Sequence, residues 1–253
     1  MKPKVGLFIP CYIDQFYPQV GIATYELLFK LGVNVEYPLS QTCCGQPLAN
    51  SGAEQEALKV YANFVKNFCS YDYIVSPSAS CVYHVKNHYN ILENSSLVPA
   101  DDVRKVRKNI YELCEFVSDI LNIENLNIEF PHKVGVHHSC HGLRLLGLGT
   151  PSELVRSGDS VIERLLRPVK GIELVKLNRK DECCGFGGTF SIFEPAISAQ
   201  MGRSRIADHI INGAEVITAT DMSCLMHLEG IIKRESLNIR VMHIAEILNM
   251  GKL

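Results

Sequence analysis

The sequence has 253 residues, 47% of them hydrophobic, enough to bury one large core or two moderate ones. Its 25 basic and 27 acidic side chains give a formal net charge of −2 without a long basic stripe, which excludes the electrostatic footprint of a nucleic-acid binder. The apolar stretch at the start is too short for a signal peptide and no run reaches membrane-spanning length, so a cytoplasmic protein with no transmembrane segment is expected.

In chain order, Val5–Ile9 reads as a strand that runs into Pro10 and Cys11. Gln19–Leu31 has helical periodicity, Val33–Tyr37 reads as a second strand, and Cys43-Cys44-Gly45 follows. Ala53–Phe68 predicts an amphipathic helix and Tyr73–Val75 a third strand, which leads to Ser80-Cys81. A helix is expected over Asp102–Leu121, then a linker near Asn122–His132. Beyond it, strand Val134–His137 leads to Cys140, and a helix is expected over Pro151–Leu166. Strand Ile172–Leu177 precedes Cys183-Cys184-Gly185, and helix Pro195–Ile211 follows. Strand Val216–Ala219 leads to Ser223-Cys224 on a helix over Met222–Arg234, and Val241–His243 reads as a final strand.

This order is a repeat. A lone cysteine, a Cys-Cys-Gly and a Ser-Cys occur twice, with offsets of 129, 140 and 143 residues between equivalents. Two domains are therefore expected, residues 1–125 and 130–253. Each alternates strands with helices, which predicts α/β units around largely parallel sheets, with the cysteine sites at the carboxyl ends of strands. Cys69 and Cys114 fall outside the repeat on helix-like stretches and read as small buried hydrophobes.

Ten cysteines in a reducing compartment point to metal or redox chemistry rather than to disulfides. Adjacent cysteines on a regular strand point to opposite faces, so both sulfurs of a pair reach one centre only through a bend. Gly45 and Gly185 supply it, because glycine accepts positive φ and lets backbone approach a bulky ligand. Exposed N–H groups in that turn can donate to anionic sulfur, and helices expected after each glycine would add their positive ends. Each half then offers four sulfurs, Cys11, Cys43, Cys44 and Cys81 or Cys140, Cys183, Cys184 and Cys224, a set that suits an iron–sulfur cluster. His84 and His227 each follow the last cysteine by three residues. Two readings stand for them, a metal ligand or a nearby hydrogen-bonding group. His137, His138 and His141 surround Cys140 and are assigned structural or supporting roles. Mixed cysteine and histidine donors also suit zinc, so a zinc in one half stays open.

These motifs resemble the cysteine-rich, or CCG, domain family. It includes the cysteine-rich subunits of heterodisulfide reductases and the iron–sulfur subunits of glycolate and glycerol-3-phosphate oxidoreductases. The resemblance runs from Cys11 to His227. It implies two iron–sulfur clusters, one of [4Fe-4S] type per repeat, in an electron-transfer subunit of a multi-protein oxidoreductase. Where heterodisulfide reductases carry Cys-x-x-Cys this chain has Cys81-x-x-His84 and Cys224-x-x-His227, so disulfide-reducing chemistry is the alternative rather than the expectation. The segments Phe8-Ile9-Pro10-Cys11-Tyr12, Cys43-Cys44-Gly45-Gln46-Pro47 and Cys183-Cys184-Gly185-Phe186-Gly187-Gly188-Thr189-Phe190 are similar to the short, two-motif lactate-utilisation branch. That likeness implies oxidation of L-lactate to pyruvate with partner proteins, a ferredoxin-type iron–sulfur protein among them, with glycolate or another 2-hydroxy acid as the alternative substrate.

Other chemistries account for fewer residues. No G-x-G-x-x-G follows a strand, which argues against a self-sufficient nicotinamide dehydrogenase. A cysteine hydrolase built on Cys140 and His138 or His141 leaves seven repeated cysteines unexplained. A thiol–disulfide enzyme using Cys43-Cys44 or Cys183-Cys184 does not need the four lone cysteines. A structural zinc protein is the remaining class.

Overall fold

The computed structural model describes residues 2–155, 158 and 160–251. The chain divides into two compact units, Met1–Phe116 and Val117–Leu253. Each is built on a four-stranded, all-parallel sheet. In the first unit the strands are β1 (Lys4–Leu7), β2 (Asn34–Glu36), β3 (Tyr73–Ser76) and β4 (Ile110–Glu112), in the order β2-β1-β3-β4. In the second they are β5 (Lys133–Val136), β6 (Glu173–Leu174), β7 (Val216–Ala219) and β8 (Arg240–His243), in the order β6-β5-β7-β8. The α/β reading holds, and the same topology occurs twice.

The topology fixes where a ligand belongs. From the first strand the chain crosses to one side, then returns to pair on the other, so the order reverses between β1 and β3 and again between β5 and β7. The loops leaving those strands diverge and open a crevice at their carboxyl ends. Cys11 and Cys81 follow β1 and β3, and Cys140 and Cys224 follow β5 and β7.

Buried strands read as short apolar runs because helices cover the sheet faces. Leu7, Ile74 and Val75 are buried, as are Leu27, Leu28, Phe64 and Phe68 of the helices, in the first unit. Val134, Val136, Val216 and Ile217 are buried with Ile206, Leu225 and Leu228 in the second. Helix Pro195–Ile211 has the expected bounds, and Pro18–Lys30, Glu54–Phe68 and Met222–Glu235 lie within a residue of theirs.

Three expectations need correction. The single helix over Asp102–Leu121 is a helix at Ala100–Asn109, strand β4, and two short turns at Leu113–Glu115 and Phe116–Ile120. Ile110 pairs in register with Ile74, and burial on the sheet overrides the helical periodicity that runs through it. Strand Ile172–Leu177 shrinks to Glu173–Leu174 at the sheet edge. The helix over Pro151–Leu166 is a single turn at Ser152–Leu154 and a helix at Val161–Leu166, started by a capping box between Ser160 and Glu163. Arg156, Ser157 and Asp159 of that expected helix lie outside the described residues. The irregular stretch that follows Ile120 packs within the second unit, with Leu126, Ile128 and Phe130 buried.

Candidate functional site

The lone cysteines are delivered by strand-to-helix turns. Cys11 opens helix Cys11–Phe16 directly after Pro10, whose fixed φ suits the entry. Cys81 lies in the first turn of helix Ala79–His88, where the Ser78 side chain caps the helix by accepting from the Cys81 N–H at 3.4 Å. Cys224 holds the same place in helix Met222–Glu235, behind Asp221. Both sulfurs therefore sit at the positive end of a helix, where negative charge is favoured.

The Cys-Cys-Gly segments bend as required. Gly45 has φ +83° and Gly185 φ +92°, and a Cβ on either would collide with its surroundings. On Gly45 it would lie 2.5 Å from Cε1 of Tyr61; on Gly185 it would lie 2.6 Å from the Ser198 carbonyl oxygen and 2.7 Å from Cβ of Met201. The turn aims main-chain donors at sulfur. Gly45 N–H donates to Cys43 Sγ at 3.3 Å, Gly185 N–H to Cys183 Sγ at 3.4 Å, and Phe186 N–H to Cys184 Sγ at 3.5 Å. Helix Gln46–Asn50 starts directly after Gly45, whereas the next helix after Gly185 begins only at Phe190.

Each unit thus gathers its four repeated sulfurs. Cys11 and Cys43 lie 3.5 Å apart, Cys43 hydrogen-bonds to Cys44, and Cys44 to Cys81. Cys140, Cys183, Cys184 and Cys224 are linked in the same sequence. All ten cysteines are free thiols. Cys44, Cys81 and Cys184 are buried, Cys11 is exposed, and Cys43, Cys140, Cys183 and Cys224 are half-buried. Cys114 is buried in the turn after β4, as expected, whereas Cys69, which ends helix Glu54–Phe68, is only half-buried.

The quartets respond to their own crowding. Hydrogen bonds from Cys11, then Cys44, and the Gly45 N–H draw the Cys43 thiol down to about 3. Cys140, Cys184 and the Gly185 N–H draw Cys183 to about 2 in the same way. Cys11, Cys44, Cys140 and Cys184 are pushed up, first by donating to the neighbouring thiolate and then by burial and like charge. A multiply charged cationic centre among these sulfurs would favour their ionised forms. Four sulfurs, main-chain donors and a glycine that admits close approach fit an iron–sulfur cluster, and four thiolates also fit zinc.

The two Cys-x-x-His histidines share a task. His84 is buried and its Nε2 shares a 3.0 Å hydrogen bond with the Tyr61 hydroxyl, and Tyr61 is the ring packed against Gly45. His227 Nε2 donates to the Ser198 carbonyl oxygen at 3.2 Å, and that oxygen faces Gly185. Each histidine fixes the helix that walls its Cys-Cys-Gly turn. Tyr89 adds to the first wall by stacking on Tyr61, 4.3 Å between ring centroids, and donating to the Cys44 carbonyl at 2.9 Å.

His137 stands closer to sulfur than a merely supporting role requires. A ring nitrogen of His137 and the sulfurs of Cys184 and Cys224 all lie within 4.8 Å of one another. Burial pushes the imidazole down to about 3, so it is neutral. Its place three residues before Cys140 is the one signal of this in the sequence.

Comparisons with known proteins agree with this layout. The cysteine-rich domain (CCG) family matches residues 5–86 and 134–229, the two repeats. A Geobacillus kaustophilus protein named lactate utilization protein A is 42% identical, covering 97% of this chain and 98% of its own. Its Bacillus licheniformis namesake is 40% identical, covering 97% and 99%. Among solved structures, a hypothetical protein from Helicobacter pylori superposes with a TM-score of 0.65 at 13% identity, over 99% of this chain and 49% of that one, a likeness of fold. With the family's motifs matched in both units and relatives alike over nearly their whole length, the chain belongs to the CCG cysteine-rich domain family.

Proposed function

We propose that the protein is an electron-transfer subunit that carries one [4Fe-4S]-type cluster in each unit and serves a multi-protein oxidoreductase converting L-lactate to pyruvate. The observation that carries the reading is the gathering of eight sulfurs, four and four, at equivalent crevices of two equivalent sheets. The lactate assignment is supported by the two relatives named for lactate utilisation.

In this reading Cys11, Cys43, Cys44 and Cys81 hold one cluster, and Cys140, Cys183, Cys184 and Cys224 hold the other. Each cluster, when bound, accepts and releases single electrons. Gly45 and Gly185 let the main chain approach it, and the N–H groups of Gly45, Gly185 and Phe186 stabilise sulfur charge. His84 and His227 brace the turns. The buried cysteines shield the inner side from water, while the exposed Cys11 rim faces a partner. The partners are other subunits of the oxidoreductase, among them a ferredoxin-type iron–sulfur protein, and the site of action is the cytoplasm.

Growth on single carbon sources tests the substrate. Deleting the gene should abolish growth on L-lactate and spare growth on glycolate and glycerol 3-phosphate. The intact gene should restore it and a Cys44→Ser copy should not. Normal growth on L-lactate with loss on glycolate would move the assignment to the other 2-hydroxy acid.

A further inference from the structure

The two units share a topology but differ in the wall behind their sulfurs. Phe8 and His137 occupy the same backbone position: each stands three residues before the first cysteine and each N–H donates to the adjacent strand. Phe8 donates to Val75 O at 2.9 Å and His137 to Thr218 O at 2.7 Å. Phe8 is fully buried and meets Phe64 and Phe68 edge-on, with ring centroids 4.8 and 5.9 Å away. His137 is buried as deeply, yet neither ring nitrogen has a hydrogen-bond partner among the described residues.

The contrast continues one layer back. Gly6 packs against Phe68 and Tyr71, whereas Gly135 packs against His209. His209 Nε2 accepts from Arg205 Nε at 3.3 Å, and the fully buried Arg205 pairs with Asp208 at 3.4 Å. The first unit has an aromatic wall where the second has a buried polar network. A buried N–H left without an acceptor is destabilising. The sulfurs of Cys184 and Cys224 lie within 4.8 Å of a His137 ring nitrogen, and they supply acceptors that would remove that cost.

We propose that His137 donates its ring N–H to sulfur at the second centre, and that this bond makes the second centre the more easily reduced of the two. The proposal rests on the cluster reading above. A donor to sulfur stabilises the reduced, more negative form, and it acts strongly where water is excluded. The aromatic wall around Phe8 provides no such donor. The first electron to enter the chain therefore settles in the second unit. His137 tunes the centre without ligating it, since the first unit completes its quartet with phenylalanine at that position.

The test is a redox titration followed by electron paramagnetic resonance on wild type, His137→Phe and His137→Gln, with iron and sulfide assayed on the same samples. Wild type should show two separate couples. His137→Phe should keep its iron and sulfide while the more positive couple moves to lower potential and the other stays. His137→Gln, which keeps an N–H to donate, should move the same couple less. Coincident wild-type couples, or unmoved couples in a fully loaded His137→Phe, would overturn the proposal. Loss of half the iron from both variants, with unchanged circular dichroism melts, would also overturn it by making His137 a ligand. If His137→Phe does not fold, His137→Gln decides, by a shift confined to one couple or by none. Wild-type protein without acid-labile sulfide fails the cluster reading itself, whatever the variants do.

Discussion

Gly45 and Gly185 carry two demands at once, a left-handed backbone and the absence of a Cβ against Tyr61 or the Ser198 carbonyl. Alanine at either should cost ~1–3 kcal/mol from backbone strain alone. It should also empty one centre, since the turn that aims the N–H at sulfur would open. Thermal melts and iron content of Gly45→Ala and Gly185→Ala check this, and a fully loaded alanine variant of wild-type stability would refute it. Tyr61→Phe separates wall from brace: the ring stays against Gly45, while the hydroxyl bond to His84 is lost. The expected cost is about 1 kcal/mol in denaturant unfolding with iron retained. At this scale the cysteines and glycines were legible because their chemistry needs those residue types. Tyr61, Tyr89 and Ser198 were not, because they reach the turns from other segments of the chain and carry no motif. His84 and His227 were legible as a repeated feature, but only tertiary contacts assign their hydrogen bonds.

Among the elements, β4 illustrates how periodicity misleads. Val103, Val106 and Ile110 continue one apolar spacing, so the helix reads straight through the strand. Chain reversal is marked instead by Glu112, a buried carboxylate whose side chain accepts from the N–H of Cys114 at 2.7 Å and Glu115 at 3.3 Å. That capping box starts the turn that closes the first unit. Glu112→Ala should destabilise the fold by ~0.5–2 kcal/mol. Glu112→Gln, which keeps an acceptor oxygen, should cost less, and urea midpoints of the two variants give the comparison. Equal midpoints for wild type and Glu112→Ala would show that the cap contributes nothing. The strands that carry function, β1, β3, β5 and β7, were legible because burial on both faces makes them short apolar runs. The edge strand β6 was overextended because little burial constrains it, with Glu173 exposed.

At the scale of the molecule, duplication explains why the same fold and the same eight sulfurs could be read from sequence while the difference between the units could not. The repeat fixes what the halves share; it is silent on Phe8 against His137 or on the aromatic wall against Arg205 and His209. Each unit holds its own sheet and its own quartet, so loss of one centre should leave the other intact. Cys44→Ser and Cys184→Ser should each lose one centre's iron, and the double variant should lose both additively. Non-additive loss would mean that the centres are not independent.

Metal and sulfide analysis of wild-type protein purified without oxygen decides whether the two quartets hold clusters. Two [4Fe-4S]-type centres require a brown protein with roughly eight iron and eight acid-labile sulfide per chain. A colourless protein holding stoichiometric zinc and no sulfide, even after anaerobic reconstitution with iron and sulfide, would assign the quartets to zinc and end the electron-transfer reading.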